Sequence, residues 1–501
     1  MKIARALRWL GFGLLASVGV AATSRPNIIF LLADDLGYGD IGAFGQTKIR
    51  TPNLDRLATE GIKLTQHYAG HNVCAPSRCA LMSGKHPGHG YIRNNRGGIG
   101  IAGGPAEGQE PVPAGELQLP ATMKKLGYTL GGFGKWGLGA VGSTGDPLKQ
   151  GFDRFFGFND QAHAHNHYTT YLWDNDRKVT LNNPEFNVHD PALLKPEATP
   201  LEVYRKHTGP DYAPDLMAAK ARDFLRENKD KPFFLYYPTT VPHLAYQVPE
   251  DSLAEYLGKF PEPSPATGNY AWHRAPRAAY AAMITRMDRE IGKLLALVDE
   301  FGLRDNTIVI FTSDNGGTGP GLEFFNSVGG LRGRKGGYYE GGFREPCIVR
   351  WPRRIAAGSV NDRVTGFEDW LPTFLELIGS PDATPKGLDG ISFAPTLLGK
   401  TQPERPFLYR ESPAGGGQQA VRMGNWKGIR PNLSGGMKLE LYDLAKDPQE
   451  EHDVAAQNPD VVAKISKIMQ EQHTKSDVFP LPKIDGEVRA AGASKKKTKK
   501  A

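Results

Sequence analysis

Asn27-Ile28-Ile29-Phe30-Leu31-Leu32, followed at once by Ala33-Asp34-Asp35, is the stretch that decides the fold. An unbroken apolar run without alternation suits a strand covered on both faces of a sheet. Phe233 to Tyr237 reads the same way, and so does Thr307-Ile308-Val309-Ile310-Phe311-Thr312, which ends at Ser313-Asp314-Asn315. Helices are expected between these runs. Thr51-Pro52 opens a short one through Ala58 with Gly61 as its stop, and Leu119 to Leu126 ends at Gly127. Ala278 to Phe301 is a long amphipathic helix, with Met283, Ile284, Met287, Ile291, Leu294, Leu295 and Val298 at helical spacing. Strands alternating with helices imply an α/β sheet. Ligands of such sheets bind beyond the carboxyl ends of the strands, so Asp34, Asp35, Asp314 and Asn315 are expected in one site.

The rest of the chain sets limits. Its 501 residues, 39% hydrophobic and 23% charged, with 60 Gly and 38 Pro, describe a soluble, turn-rich protein of two to four domains. The net charge is +7. The first 22 residues contribute three of those charges and residues 489–501 six, so the remainder sums to −2. A nucleic-acid partner therefore has no basic face to bind. Residues 1–22 read as a cleaved signal peptide: Lys2, Arg5 and Arg8, a short apolar stretch, then Val20-Ala21-Ala22. A periplasmic or secreted protein without stable membrane insertion is expected, because no run reaches the length a membrane helix needs. From residue 401 the texture changes to short strand-like pieces and Gly-rich turns, with a helix over Asn458 to His473. A main domain over 23–400, a smaller C-terminal α+β domain over 401–488 and a disordered basic tail over 489–501 are expected.

Only three cysteines occur, Cys74, Cys79 and Cys347, so this is no disulfide scaffold. Cys79 and Cys347 are open to pairing or to simple burial. Cys74 stands in Cys74-Ala75-Pro76-Ser77-Arg78-Cys79-Ala80-Leu81-Met82-Ser83-Gly84. Pro76 and Ser77 suit a first helical turn, which puts Cys74 at the mouth of a helix with Arg78 one turn on. A helix start with an Arg is an anion site, and a sulfur there is expected to have a lowered pKa.

Cys-x-Pro-Ser-Arg followed by Leu-Met-Ser-Gly resembles the signature of the type I sulfatases, in the alkaline-phosphatase-like superfamily. Further blocks carry the resemblance in the family's order: Pro26-Asn27 through Asp34-Asp35-Leu36-Gly37-Tyr38-Gly39-Asp40, Thr51 to Ala58, Gly134-Lys135-Trp136, Ser313-Asp314-Asn315-Gly316, Lys335 to Pro346, and Leu441-Tyr442-Asp443-Leu444 with Asp447-Pro448. The resemblance implies a large mixed sheet flanked by helices with a smaller C-terminal α+β domain. It implies a sulfuric ester hydrolase acting on sulfated carbohydrates or aryl sulfates. Cys74 would be converted by a formylglycine-generating maturation enzyme to Cα-formylglycine, whose hydrate attacks sulfur, displaces the alcohol and then expels sulfate. Asp34, Asp35, Asp314 and Asn315, with residue 74, would hold one divalent cation. An all-oxygen donor set favours a hard ion, Ca²⁺, over zinc. Arg78 would support the nucleophile, Lys135 and Lys335 would contact sulfate oxygens, and His243 would serve the leaving alcohol.

The sequence departs from the family at Gly137, where many members carry His after Gly-Lys-Trp. His163, His165 and His167 in Gln161-Ala162-His163-Ala164-His165-Asn166-His167 are open to a site role, a metal-binding stretch or an exposed polar loop. Two rival functions are a phosphatase or phosphodiesterase of the same superfamily, and a non-catalytic glycan-binding protein if Cys74 is not matured.

Overall fold

The computed structural model describes residues 25–97, 107–190, 207–263, 269–319 and 321–486. The expected signal peptide and the whole of the expected basic tail lie outside them. Eleven strands of the described residues form one mixed sheet. They are β1 (Asn27–Ala33), β2 (Ile62–Tyr68), β3 (Thr129–Lys135), β4 (Arg154–Phe158), β5 (Tyr171–Asp174), β6 (Arg177–Thr180), β7 (Phe233–Pro238), β8 (Thr307–Ser313), β9 (Arg344–Arg350), β10 (Ser359–Asn361) and β11 (Thr365–Gly366). Their order is β10-β2-β9-β8-β1-β7-β3-β4-β5-β6, with β11 also paired to β2. The four central strands β8, β1, β7 and β3 run parallel, and β9 enters antiparallel beside β8.

β1 is buried at every position. Its side chains alternate between two cores, as the strand period of two requires. Ile28, Phe30 and Leu32 join the core that contains Trp370 and Phe374, where Phe30 meets Trp370 edge-on at 5.5 Å. Ile29, Leu31 and Ala33 join the opposite core, built on Met283, Ile284, Ile291 and Leu295 of the helix Pro276–Glu300. The central strand is therefore covered on both sides, and its polar end groups emerge only where it stops. Among the described residues no helix is long and apolar enough to cross a membrane.

A second, antiparallel sheet follows: β12 (Leu408–Ser412), β13 (Gln418–Met423), β14 (Trp426–Arg430) and β15 (Glu440–Asp443), in that order. Helix Pro459–Glu471 covers it through Ile465 and Met469. Gly428 makes room for that helix, since a Cβ there would lie 2.6 Å from an Ile465 methyl. Buried charge ties this sheet to the first. Arg410 of β12 holds Glu368 with two bonds of 3.0 and 2.9 Å and donates to the Ala69 carbonyl at 2.9 Å. Arg405 adds a third bond to Glu368 at 2.9 Å. Burial alone would push the Glu368 carboxyl up, but Arg410 and Arg405 more than offset it and hold it down at about 2.

Two outcomes follow from that pair. Arg410→Ala leaves the buried Glu368 carboxylate with Arg405 alone to oppose it and should lower the urea-derived unfolding free energy by about 3 kcal/mol. Because Glu368 titrates lower in the folded than in the unfolded chain, its stabilisation is complete above the ordinary 4.5 and is lost as pH falls toward 2. Urea titrations between those pH values should show that acid slope in the native chain and a smaller one in Arg410→Ala.

Candidate active site

Four adjacent parallel strands deliver their carboxyl ends to one place. β1 ends at Asp34 and Asp35, and β8 at Asp314 and Asn315, because Ala33 and Ser313 pair across the two strands. β3 ends on Lys135. The segment after β7 reaches back, with the Asp34 amide donating to the Val241 carbonyl at 3.0 Å, and places His243 beside the carboxylates. Asp35 takes a left-handed backbone, φ 65°, which turns its side chain back over the strand ends. Such a conformation costs a non-glycine residue about 1–2 kcal/mol, although Asp tolerates it better than most.

Cys74 is the first residue of helix Cys74–Ser83, whose ten residues are all buried. Its Sγ lies 3.4 Å from Asp34 Oδ1 and 3.4 Å from Lys335 Nζ. Lys135 Nζ sits 2.7 Å from Asp34 Oδ2. Lys335 Nζ bridges Asp35, 2.7 Å from Oδ1 and 3.0 Å from Oδ2. Arg78 grips Asp314 Oδ2 through Nε at 3.0 Å and a terminal nitrogen at 2.7 Å, and donates to the Lys135 carbonyl at 2.5 Å. His243 Nε2 lies 3.5 Å from Asp35 Oδ2, and its Nδ1 donates to the Leu244 carbonyl. Three buried carboxylates thus face three buried or nearly buried cations around one sulfur.

The charges are unevenly matched. Burial pushes Asp34 up, but Lys135, His243, Arg78 and Lys335 together pull it well below the usual range. Burial wins at Asp35, which is raised despite Lys335, and at Asp314, which burial and the Asp34 charge lift to about 6. Burial also drives His243 well below an ordinary imidazole, with Lys335 adding to the effect. At Lys335 the neighbouring acids outweigh burial and keep the amine charged. The expected lowering at Cys74 is not found. Burial raises the thiol, and Lys135 and Lys335 recover only part of that shift. The helix start does not expose the sulfur to water, so desolvation decides.

The donor set fits a hard cation. Asp34, Asp35, Asp314 and Asn315 offer oxygen alone, and Asn315 Oδ1 is buried without a hydrogen-bond partner among the described residues. Asn315 Nδ2 is turned to Asp35 Oδ1 at 2.7 Å, which fixes the amide with that oxygen free. Among the described residues, one ligating atom each from Asp34, Asp35, Cys74 and His243 fall within 4.8 Å of one another. A divalent ion would oppose the like charge that lifts Asp314.

Every expected site residue comes to this cluster. Cys79 and Cys347 do not pair; both are free and buried. The three histidines of 161–167 separate. His165 stacks on His243, His163 turns to Thr169 Oγ1 at 2.5 Å, and His167 is buried with neither ring nitrogen hydrogen-bonded among the described residues. One participant carried no signal in the sequence. A Cβ on Gly137 would lie 1.9 Å from Gln161 Nε2, so the Gln161 carboxamide fills the space a side chain at 137 would claim. Both polar atoms of that amide are buried and have no hydrogen-bond partner among the described residues.

The chain is similar to known proteins over most of its length. The model of the sulfatase family matches residues 26–380, and that of the N-sulphoglucosamine sulphohydrolase C-terminal region matches residues 334–477. The chain is 33% identical to the N-acetylgalactosamine-6-sulfatase of Rattus norvegicus, over 83% of this chain and 72% of that one. It is 31% identical to arylsulfatase A of Homo sapiens, over 91% and 89%. The crystal structure of Ps i-CgsB superposes with a TM-score of 0.71 at 27% identity, covering 89% of this chain and 92% of the other.

Gly137 has φ +78° as well as an occupied Cβ position. Gly137→Ala should therefore destabilise by more than the ~1–2 kcal/mol of the left-handed backbone alone. Gln161→Ala should relieve the excess, with a coupling of about 0.5–3 kcal/mol in a double-mutant cycle read by thermal melting. Additivity would show that the two positions do not compete for space.

Proposed function

The chain belongs to the sulfatase family and hydrolyses sulfuric esters, and from that premise we propose that residue 74, matured to Cα-formylglycine, is its nucleophile beside one Ca²⁺ held by Asp34, Asp35, Asp314 and Asn315. The observation that carries this reading is the seat of Cys74 between Asp34 and Lys335, beside an all-oxygen donor set. A buried thiol with a raised pKa is a poor nucleophile at neutral pH, and a thiol that did attack sulfur would be left as a stable thiosulfate. The hydrated aldehyde supplies a hydroxyl that can attack and a second whose deprotonation expels sulfate. A calcium ion held by Asp34, Asp35, Asp314 and Asn315 would supply positive charge beside the nucleophile and the sulfuryl group.

The chain's own residues do the remainder. Lys135 and Lys335 are already desolvated and opposed by carboxylates, so they can turn to sulfate oxygens without reorganising solvent. Each such preorganised donor is worth about 3–4 kcal/mol of barrier. Arg78 fixes Asp314 and the end of β3 together, which sets the distance between the donor set and Lys135. His243 keeps Nδ1 on the Leu244 carbonyl and presents Nε2, the nitrogen that would hydrogen-bond the leaving alcohol. The maturation enzyme would have to meet Cys74 before folding, since the whole helix is buried.

Sulfated carbohydrates are the proposed substrates, with aryl sulfates as simple surrogates. A relative named N-acetylgalactosamine-6-sulfatase and the complex of Ps i-CgsB with k-i-k-neocarrahexaose support that class. Export through the 1–22 segment would place the enzyme where such polymers are met, in the periplasm or outside the cell. Residues 23–400 would then be the catalytic domain and 401–488 a unit that braces it.

Mass spectrometry of the peptide carrying residue 74, from protein made in its native host, should show an aldehyde; an intact thiol in active enzyme would refute the nucleophile. Asp314→Ala should lose bound calcium by elemental analysis and at least about 10²-fold in kcat. Unchanged calcium content would remove Asp314 from the donor set. Turnover of 4-nitrophenyl sulfate should exceed that of 4-nitrophenyl phosphate, and the reverse order would favour the phosphatase alternative.

A further inference from the structure

Beside His243 stands a second imidazole that the proposed chemistry does not use. The His165 ring lies 4.6 Å from that of His243 and within 7° of parallel. Behind it runs a chain of hydrogen bonds. His165 Nδ1 meets His189 Nε2 at 2.9 Å, and His189 Nδ1 meets the Asn269 carbonyl at 2.5 Å. Tyr270 closes the group, with its ring 5.3 Å from His165, 4.7 Å from His189 and 5.8 Å from His243. The Ala245 amide donates to the His165 carbonyl at 3.1 Å, which locks this loop to the segment carrying His243.

The carbonyl at the far end fixes the direction of the chain. An oxygen can only accept, so His189 Nδ1 carries the proton. With His189 Nε2 as the acceptor of that bond, His165 Nδ1 donates to it, and a neutral His165 ring is left with a lone pair on Nε2. Burial, with His243, Lys135 and Lys335 nearby, keeps the His165 ring neutral. His165 Nε2 is thus an acceptor beside His243, on the leaving-group side of the site.

We infer that His165 is a substrate-binding residue whose Nε2 accepts a hydrogen bond from a free hydroxyl next to the sulfated carbon, so that the site selects esters of vicinal diols such as sugar rings over simple aryl sulfates. His189, Asn269 and Tyr270 position it. The inference rests on the placement of His243 at the leaving alcohol. A site built to bond a hydroxyl discriminates against an analogue that lacks it, because a desolvated acceptor is then left unpaired.

Two probes isolate the hydroxyl: phenyl sulfate and 2-hydroxyphenyl sulfate, which differ by one hydroxyl beside the ester. The native enzyme should show a higher kcat/KM for 2-hydroxyphenyl sulfate. In His165→Ala the ratio of the two kcat/KM values should fall about tenfold, mostly through KM, with the thermal midpoint nearly unchanged. His165→Gln, whose side-chain carbonyl restores an acceptor, should recover part of the ratio. His189→Ala, which frees the tautomer without touching substrate, should lower it less than His165→Ala. Equal ratios in native enzyme and His165→Ala, with both substrates turned over, would overturn the inference while leaving the sulfatase site intact. Loss of both substrates to the same extent in a folded His165→Ala would also overturn it, by making His165 a support of the whole site. Failure of the native enzyme on both probes would count against the placement of His243 itself, and the inference would fall with it.

Discussion

Three carboxylates buried side by side at the ends of neighbouring strands cannot stand alone. Asp34, Asp35 and Asp314 are each almost wholly withdrawn from water, and an isolated buried charge is prohibitively expensive. Arg78, Lys135 and Lys335 oppose them, each from a different part of the chain. Much of the architecture serves that opposition. Helix Cys74–Ser83 exists where it can send Arg78 to Asp314 and leave Cys74 at the centre. β3 must end on Lys135. The loop carrying Lys335 must be held in place from outside the main sheet.

The C-terminal sheet does that holding. Gln418 donates to the Gly336 carbonyl at 2.9 Å, next to Lys335. Tyr338 donates to the Glu411 carbonyl at 2.8 Å, and Lys427 pairs with Glu340 at 2.7 Å. A segment far from the strand ends in sequence therefore fixes one of the three cations. The electrostatics remain acid-rich even so, since Asp35 and Asp314 keep a raised affinity for protons. The residual demand for positive charge, with a free Asn315 oxygen beside it, is what makes the cluster read as a cation site rather than a closed ion-pair network.

The strands that could be read in advance were those whose chemistry is uniform. β1, β7 and β8 are continuous apolar runs because they are covered on both faces, and their polar ends announced the site. β3 is not legible as a strand, because Thr-Leu-Gly-Gly-Phe-Gly-Lys has three glycines and little β-propensity. Its glycines answer to neighbours instead: a Cβ on Gly134 would strike the Pro238 carbonyl at 1.9 Å. The short edge strands β5, β6, β10 and β11 carry no long pattern. Asp34, Asp35, Cys74, Arg78, Lys135, His243, Asp314, Asn315 and Lys335 were legible because each sits in a family block or at a strand end. Gln161, His189 and Tyr270 were not, since a carboxamide that fills a glycine's space and rings brought together by loops leave no periodic trace. The thiol shift was misjudged for a related reason: sequence marks a helix start but not how deeply it is buried.

The most direct measurement is a high-resolution crystal structure of protein purified in active form from its native host, with anomalous scattering used to identify bound calcium. A calcium peak about 2.3–2.6 Å from oxygens of Asp34, Asp35, Asp314 and Asn315, next to density for an aldehyde or its hydrate at residue 74, is the expected result. An anomalous sulfur signal at residue 74 in active enzyme, or a cation bound away from those four side chains, would contradict it.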